Sequence, residues 1–305
     1  MATSQTAKTL YISASNGVRY AYRKFGKAEG VPLVMQNHYR SNMDYWDPLL
    51  LNALASERPV ILFDQAGVGR SGGEVATTFD GWADHIIALT KALGIEQFDL
   101  LGFSMGGGAV QMVALKAPQA VRKLIIAGST ASIPGPSSDT SGTVWPQAEA
   151  DPKYVVELST PAEGADSGHV VGYSFFYETD EGRAHAKAYW NRVLEGRNVP
   201  DEPVLTELLN DEGTGRQMQA AREWQTYNPD NSYDRLGELK MPVLVVNGDD
   251  DYLIPTSRSY TLAVKIENAQ LIIYPKAGHG FLHQYAELVG KHVNLFLGGF
   301  GGARL

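Results

Sequence analysis

The sequence predicts an α/β fold, a mostly parallel eight-stranded sheet with helices on both faces. Three observations predict it. Short continuous apolar runs alternate with stretches of helical periodicity along most of the chain. The apolar runs do not alternate with polar residues, so both faces of those strands are expected to be covered. One run, ending at Leu101, turns directly into a helix through Gly102-Phe103-Ser104-Met105-Gly106. With 305 residues, the chain can bury the large core that such a sheet requires.

The elements follow in order. Leu10-Tyr11-Ile12 and Val18 to Tyr22 read as paired strands, and Asn16-Gly17 between them is a hairpin turn signal. Buried-strand runs follow at 31–35, 60–63, 98–101, 124–127, 243–246 and 271–274. Helical patterns lie at 46–55, 82–93, 106–116, 257–266 and 284–297. Strand–helix alternation of this kind implies a parallel sheet wrapped on both sides. The alternation breaks over 131–233, which opens with Pro134, Pro136 and a Ser/Thr/Gly cluster. That region carries Trp145, Tyr154, Tyr173, Phe175, Phe176, Tyr177, Tyr189, Trp190 and Trp224. It is expected to be a helical cap inserted between two parts of the core, 1–130 and 234–297, with a Gly-rich tail at 298–305.

Composition excludes several classes of function. Acidic residues outnumber basic ones, 34 to 26, for a net charge of −8, which gives no electrostatic basis for nucleic-acid binding. There is no cysteine, so disulfides, a thiol nucleophile and thiolate metal sites are ruled out. No apolar run approaches the ~18 residues of a membrane span, and the N-terminus lacks a signal-peptide core. An intracellular protein is expected. The last residues, Ala303-Arg304-Leu305 on a glycine tether, have the small–basic–leucine form of a peroxisomal address. In a eukaryotic source the peroxisomal import receptor would be a partner.

The chemistry centres on Ser104. A serine between glycines at a strand-to-helix turn is the form of a nucleophile elbow. The turn strains the serine backbone and lifts its hydroxyl above the sheet. The helix start also leaves unpaired N–H groups beside it, where an anion can be held. A serine hydroxyl needs a base, and the base needs a carboxylate that fixes its tautomer. Both types appear later, on loops just past expected strands. Asn247-Gly248-Asp249-Asp250-Asp251 runs on to Pro255, and Pro275-Lys276-Ala277-Gly278-His279-Gly280 follows the next strand. Ligands in open parallel sheets bind outside the carboxyl ends of the strands, where all these residues fall.

Together with the loop Asp64-Gln65-Ala66-Gly67-Val68-Gly69-Arg70-Ser71, these motifs resemble the α/β-hydrolase superfamily over essentially the whole folded length. The resemblance implies the α/β-hydrolase fold and a triad of Ser104, Asp251 and His279. The family's spacing between glycine and proline selects Asp251 over Asp249 and Asp250. It also implies an oxyanion hole made by the Met105 N–H and an N–H from the loop after the third strand. That loop departs from the family pattern. Asn37 stands where histidine is usual and His38 where glycine is usual, so Tyr39 is the expected second donor. His38 has two readings, as a pocket residue facing substrate or as a brace for its own loop. Phe103 and His38 are expected to line the substrate pocket.

Other candidates weigh less. His283 follows His279 at helical spacing, but no Glu beside the first and no thiolate support a metal site. It is expected at a solvated or pocket-rim position; His85, His169, His185 and His292 are expected on helices or the surface. Gly67 to Gly72 formally matches a dinucleotide fingerprint, yet no helix opens there. No metal and no cofactor are expected, and Asp64 and Arg70 are expected to brace that loop.

A serine at the elbow disfavours carboxylate-nucleophile chemistry and leaves acyl transfer. The leading expectation is a carboxylic-ester or lactone hydrolase that forms an acyl-enzyme on Ser104. The aromatic cap suggests a medium-sized apolar or aromatic substrate. By analogy within the family, the alternatives are a cofactor-free haloperoxidase or perhydrolase, or a C–C bond hydrolase. Outside hydrolysis they are a ligand receptor that kept the triad, or a cyclase or acyltransferase that excludes water.

Overall fold

An antiparallel hairpin, β1 (Leu10–Ser13) and β2 (Arg19–Gly26), forms one edge of an eight-stranded sheet. The computed structural model describes residues 2–141, 149–161 and 164–299. After the hairpin come β3 (Leu33–Gln36), β4 (Pro59–Phe63), β5 (Phe98–Phe103), β6 (Val121–Ala127), β7 (Val243–Gly248) and β8 (Ala269–Tyr274). The spatial order is β1-β2-β4-β3-β5-β6-β7-β8. β2 pairs antiparallel with β4, and every later pairing is parallel. The expected α/β architecture is therefore the observed one.

Parallel strands need crossovers, and helices supply them. The crossovers include α1 (Pro48–Ala55), α2 (Phe79–Ala92), α3 (Met105–Lys116) and α8 (Ser257–Lys265), while a short α9 (Phe281–Gln284) and α10 (Ala286–Gly298) follow the last strand. Two apolar cores result, one on each face of the sheet. Alternate strand residues Leu33, Met35, Leu101, Phe103, Leu244 and Val246 enter one core with α1 and α10. Their neighbours Val34, Leu100, Ile126, Val243 and Val245 enter the other with α2 and α3.

Several helix ends differ from the sequence expectation, each for a local reason. α1 begins at Pro48 rather than Trp46, because the Asp47 carboxylate caps the Leu49 N–H at 2.9 Å. α2 starts earlier, at Phe79, where Thr78 accepts from the Gly81 N–H. The helix expected over 284–297 is α10, which starts at Ala286 because Tyr285 leaves the helical region and separates it from α9.

Among the described residues, four α-helices lie between β6 and β7: α4 (Pro152–Ser159), α5 (Ser167–Phe175), α6 (Asp180–Leu194) and α7 (Asp211–Trp224). They occupy the stretch expected to be an insertion. Trp145 and the tripeptide Ala303-Arg304-Leu305 lie outside the described residues. Among the described residues, no helix is long and apolar enough to cross a membrane.

Candidate active site

Ser104 joins β5 to α3 with φ 58° and ψ −123°, a strained conformation for a side chain with a Cβ. Its flanking glycines make the turn possible. A Cβ on Gly106 would lie 2.5 Å from the Asn37 carbonyl oxygen and 2.6 Å from that of Gln36. A Cβ on Gly102 would overlap the Gly106 carbonyl. The first turn of α3 thus packs directly on the loop after β3. Met105 opens α3, so its N–H has no carbonyl one turn before it within the helix.

Asp251 and His279 come from the loops after β7 and β8. The His279 Nδ1–H donates to Asp251 Oδ2 at 2.7 Å, and both side chains are fully buried. The other carboxylate oxygen of Asp251 accepts the N–H groups of Leu253 and Ile254, each at 2.9 Å. Asp249 does different work. Its carboxylate accepts from the Lys276 and Ala277 N–H groups at 2.8 and 3.0 Å, and so holds the loop that carries His279. No side-chain hydrogen bond joins Asp250 to His279 among the described residues. The three adjacent aspartates are thereby separated by partner.

The His279 ring stacks on Phe103, the residue before Ser104, with centroids 4.9 Å apart. His279 Nε2 is buried and has no hydrogen-bond partner, so Ser104 and His279 are not bonded to each other here. Such bonds are often long in free enzymes and tighten with substrate.

The loop after β3 is pinned at nearly every position. Asn37 accepts the His38 N–H at 2.9 Å and donates to the Asn42 carbonyl at 2.8 Å. Arg40, with φ 61°, gives its N–H to Gln217 of α7 at 2.8 Å. The N–H groups on either side of Tyr39 are thus taken, and that of Tyr39 has no partner among the described residues. His38 itself braces the loop, since its Nδ1 lies 2.9 Å from the Tyr39 carbonyl oxygen. Burial holds the His38 imidazole down at about 3, with a further push from His279, so it stays neutral.

The insertion reaches the site through Phe175, at the end of α5. Its carbonyl accepts the Gly280 N–H at 2.8 Å, and its ring meets His279 edge-on at 4.9 Å. Tyr177 donates to Asp249 at 3.1 Å. Tyr154 stacks on Tyr252 at 4.7 Å, beside the aspartate loop. Trp224 does not join this group; it packs on Phe79 beneath the other face.

His283 corrects the sequence expectation. It is neither solvated nor at a rim but 2% exposed, stacked on Tyr189 at 4.0 Å. The reason is α9, which turns the chain inward after His279 and carries His283 under α6. Burial holds it well below the usual histidine range. His85, His185 and His292 lie on helices at partly covered positions, and His169 is exposed. Asp64 and Arg70 brace their loop as expected. Asp64 accepts the N–H groups of Met43 and Arg70 at 2.7 and 2.8 Å, and Arg70 pairs with Asp44 at 2.7 Å. No cluster of three metal-ligating side chains occurs among the described residues.

Sequence reasoning missed Phe175, Asp249 and Gln217 as supports of the site. Only Asp249 left a signal, as a carboxylate beside the chosen acid.

A family model for the alpha/beta hydrolase fold matches residues 31–284. An alpha/beta hydrolase fold protein from Chitinophaga pinensis superposes with a TM-score of 0.83 at 30% identity, covering 98% of this chain and 100% of that one. The poly(3-hydroxyalkanoate) depolymerase of Ectopseudomonas oleovorans is 28% identical over 287 residues, 93% of this chain and 89% of the relative. The non-heme haloperoxidase of Rhodococcus erythropolis is 26% identical over 295 residues, 94% of this chain and 98% of the relative.

Proposed function

Since this chain belongs to the alpha/beta hydrolase family, we propose that it is a serine hydrolase that cleaves a carboxylic ester or lactone through an acyl-enzyme on Ser104. The observation that carries this reading is the buried Asp251–His279 hydrogen bond, whose ring rests on the residue before Ser104. A carboxylate on Nδ1 fixes the proton there and leaves Nε2 as the base. Nε2 takes the Ser104 proton as Oγ attacks the carbonyl carbon. The N–H groups of Met105 and Tyr39 receive the oxyanion, a contribution of about 3 kcal/mol for each such donor. The imidazolium then protonates the leaving alcohol, and water attacks the acyl-enzyme by the same path in reverse. Phe103 and Phe175, whose rings flank His279, supply an apolar wall that favours medium-sized acyl chains.

A fluorophosphonate probe followed by peptide mapping tests the nucleophile; label on Ser104 is expected. Ester turnover that survives Ser104→Ala, or label on another residue, overturns the reading. A panel of aryl esters and lactones then sorts the substrates. The haloperoxidase relative supports a second reading, in which the acyl-enzyme is intercepted by hydrogen peroxide. Peracid-dependent halide oxidation faster than ester turnover would favour it. We also propose that, in a eukaryotic source, the C-terminal tripeptide is a peroxisomal address. Fused behind a fluorescent protein in a eukaryotic cell, the last eight residues are expected to give peroxisomal puncta; diffuse signal overturns that proposal.

A further inference from the structure

Three imidazoles surround the Phe103–Phe175 pair. Phe103 lies 5.4 Å from His38, 4.9 Å from His279 and 5.9 Å from His283, and Phe175 lies 5.0, 4.9 and 6.2 Å from the same rings. All three histidines are at most 3% exposed. Among the described residues, only His279 of the three has a carboxylate partner. His38 is fixed differently. A carbonyl oxygen can only accept, so the 2.9 Å contact with Tyr39 puts the proton on His38 Nδ1. His38 Nε2 is therefore a lone pair. It is buried, and no group among the described residues donates to it. A buried acceptor left unpaired is costly, and a ligand that supplies a donor recovers that cost. His38 also precedes Tyr39, the proposed oxyanion donor, and its ring meets Phe103, the residue before Ser104.

We propose that His38 Nε2 accepts a hydrogen bond from a hydroxyl on the substrate's acyl chain, next to the scissile carbonyl, which makes His38 a specificity-determining residue for hydroxyacyl esters. The assignment rests on the ester-hydrolase reading above. Its chemistry is restricted on two sides. The acceptor stays neutral, so it selects for a donor and gives nothing to a carboxylate. An ammonium buried beside the rings of Tyr45, Phe103 and Phe175 would have no carboxylate partner there, so the donor proposed is a neutral one. The hydroxyl is the smallest group that meets both conditions.

The test compares 4-nitrophenyl butyrate with its 2-hydroxy and 3-hydroxy analogues. The wild-type kcat/KM for one hydroxy ester is expected to exceed that for the plain ester on the order of ten-fold. His38→Leu should bring that ratio to about one, and His38→Gln, which restores an acceptor, should keep part of it. The ratio is taken within each variant, so a general loss of rate cancels. The same esters are titrated calorimetrically into the Ser104→Ala protein, where binding is read without turnover. A hydroxyl preference in binding with no hydrolysis by the wild type would sink the hydrolase reading while upholding the role of His38. Equal affinity and equal kcat/KM for all three esters, or a preference that survives His38→Leu, would overturn the role of His38 while leaving the hydrolase standing.

Discussion

Asp251 and Asp249 are two residues apart, yet their carboxylates have separate tasks. Asp251 meets the imidazole, whereas Asp249 meets the backbone of the loop behind it. Asp251→Asn would keep the shape and reverse the tautomer preference of His279, so kcat is expected to fall by about 10⁴. Asp249→Asn removes one acceptor from a partly solvated contact. It is expected to cost about 1 kcal/mol of stability and less than ten-fold in kcat. Steady-state kinetics with urea unfolding of both variants distinguishes the two tasks. Equal losses of kcat would mean that the aspartate loop acts as one unit. The sequence alone left three aspartates open, and only the family's spacing selected among them. Of the three, Asp251 is the one whose carboxylate accepts from the His279 ring.

At the level of elements, α3 packs directly on the loop after β3, and Gly106 sits at the contact. Gly106→Ala would favour the helix by about 1 kcal/mol on propensity. The added methyl, however, meets two backbone carbonyls that cannot swing aside. The loop carrying Tyr39 must then move away from Met105. The expected outcome is a kcat lower by about 10²–10³, as for loss of an oxyanion donor, with a small change in melting temperature. Retained kcat would show that Tyr39 gives no donor. The glycine itself was legible as part of the elbow motif. Its partner across the contact was not, because nothing in a linear sequence reveals that the Gln36 and Asn37 carbonyls lie against it.

Across the whole molecule, the central strands β3 to β7 and their order of appearance could be read from apolar runs, since these strands are covered on both faces. The helices of the insertion could not be delimited, because their amphipathic faces pack on one another and on the catalytic loops. Nor could the burial of His283 be foreseen, since it depends on α9 passing under α6. That burial has a global consequence. His38 and His283 stay neutral when folded, whereas unfolded histidines protonate as pH falls through about 6.5. The unfolded state then binds more protons, so stability is present above that pH and is lost below it, by up to about 1.4 kcal/mol per pH unit for each ring. Asp64, raised to about 6 by burial, acts in the opposite sense. Its folded carboxyl holds a proton that the unfolded chain releases, so its contribution falls as pH rises from about 4 to about 6. Urea unfolding at pH 7 and pH 5 is expected to show a net acid loss, and His283→Phe should reduce it markedly. An unchanged pH dependence in that variant would show that His283 takes up its proton without unfolding.

The bond from the Gly280 N–H to the Phe175 carbonyl has a bearing on how such a protein diversifies. It is a backbone contact, so it tolerates many side chains, but it requires the end of α5 to arrive at one place. An insertion borrowed from a related protein to change substrate range would therefore bring its own setting for His279, the proposed base. Recombination at the insertion's borders trades selectivity and reactivity together, and libraries built there should graft the segment around Phe175 and the His279 loop as one cassette.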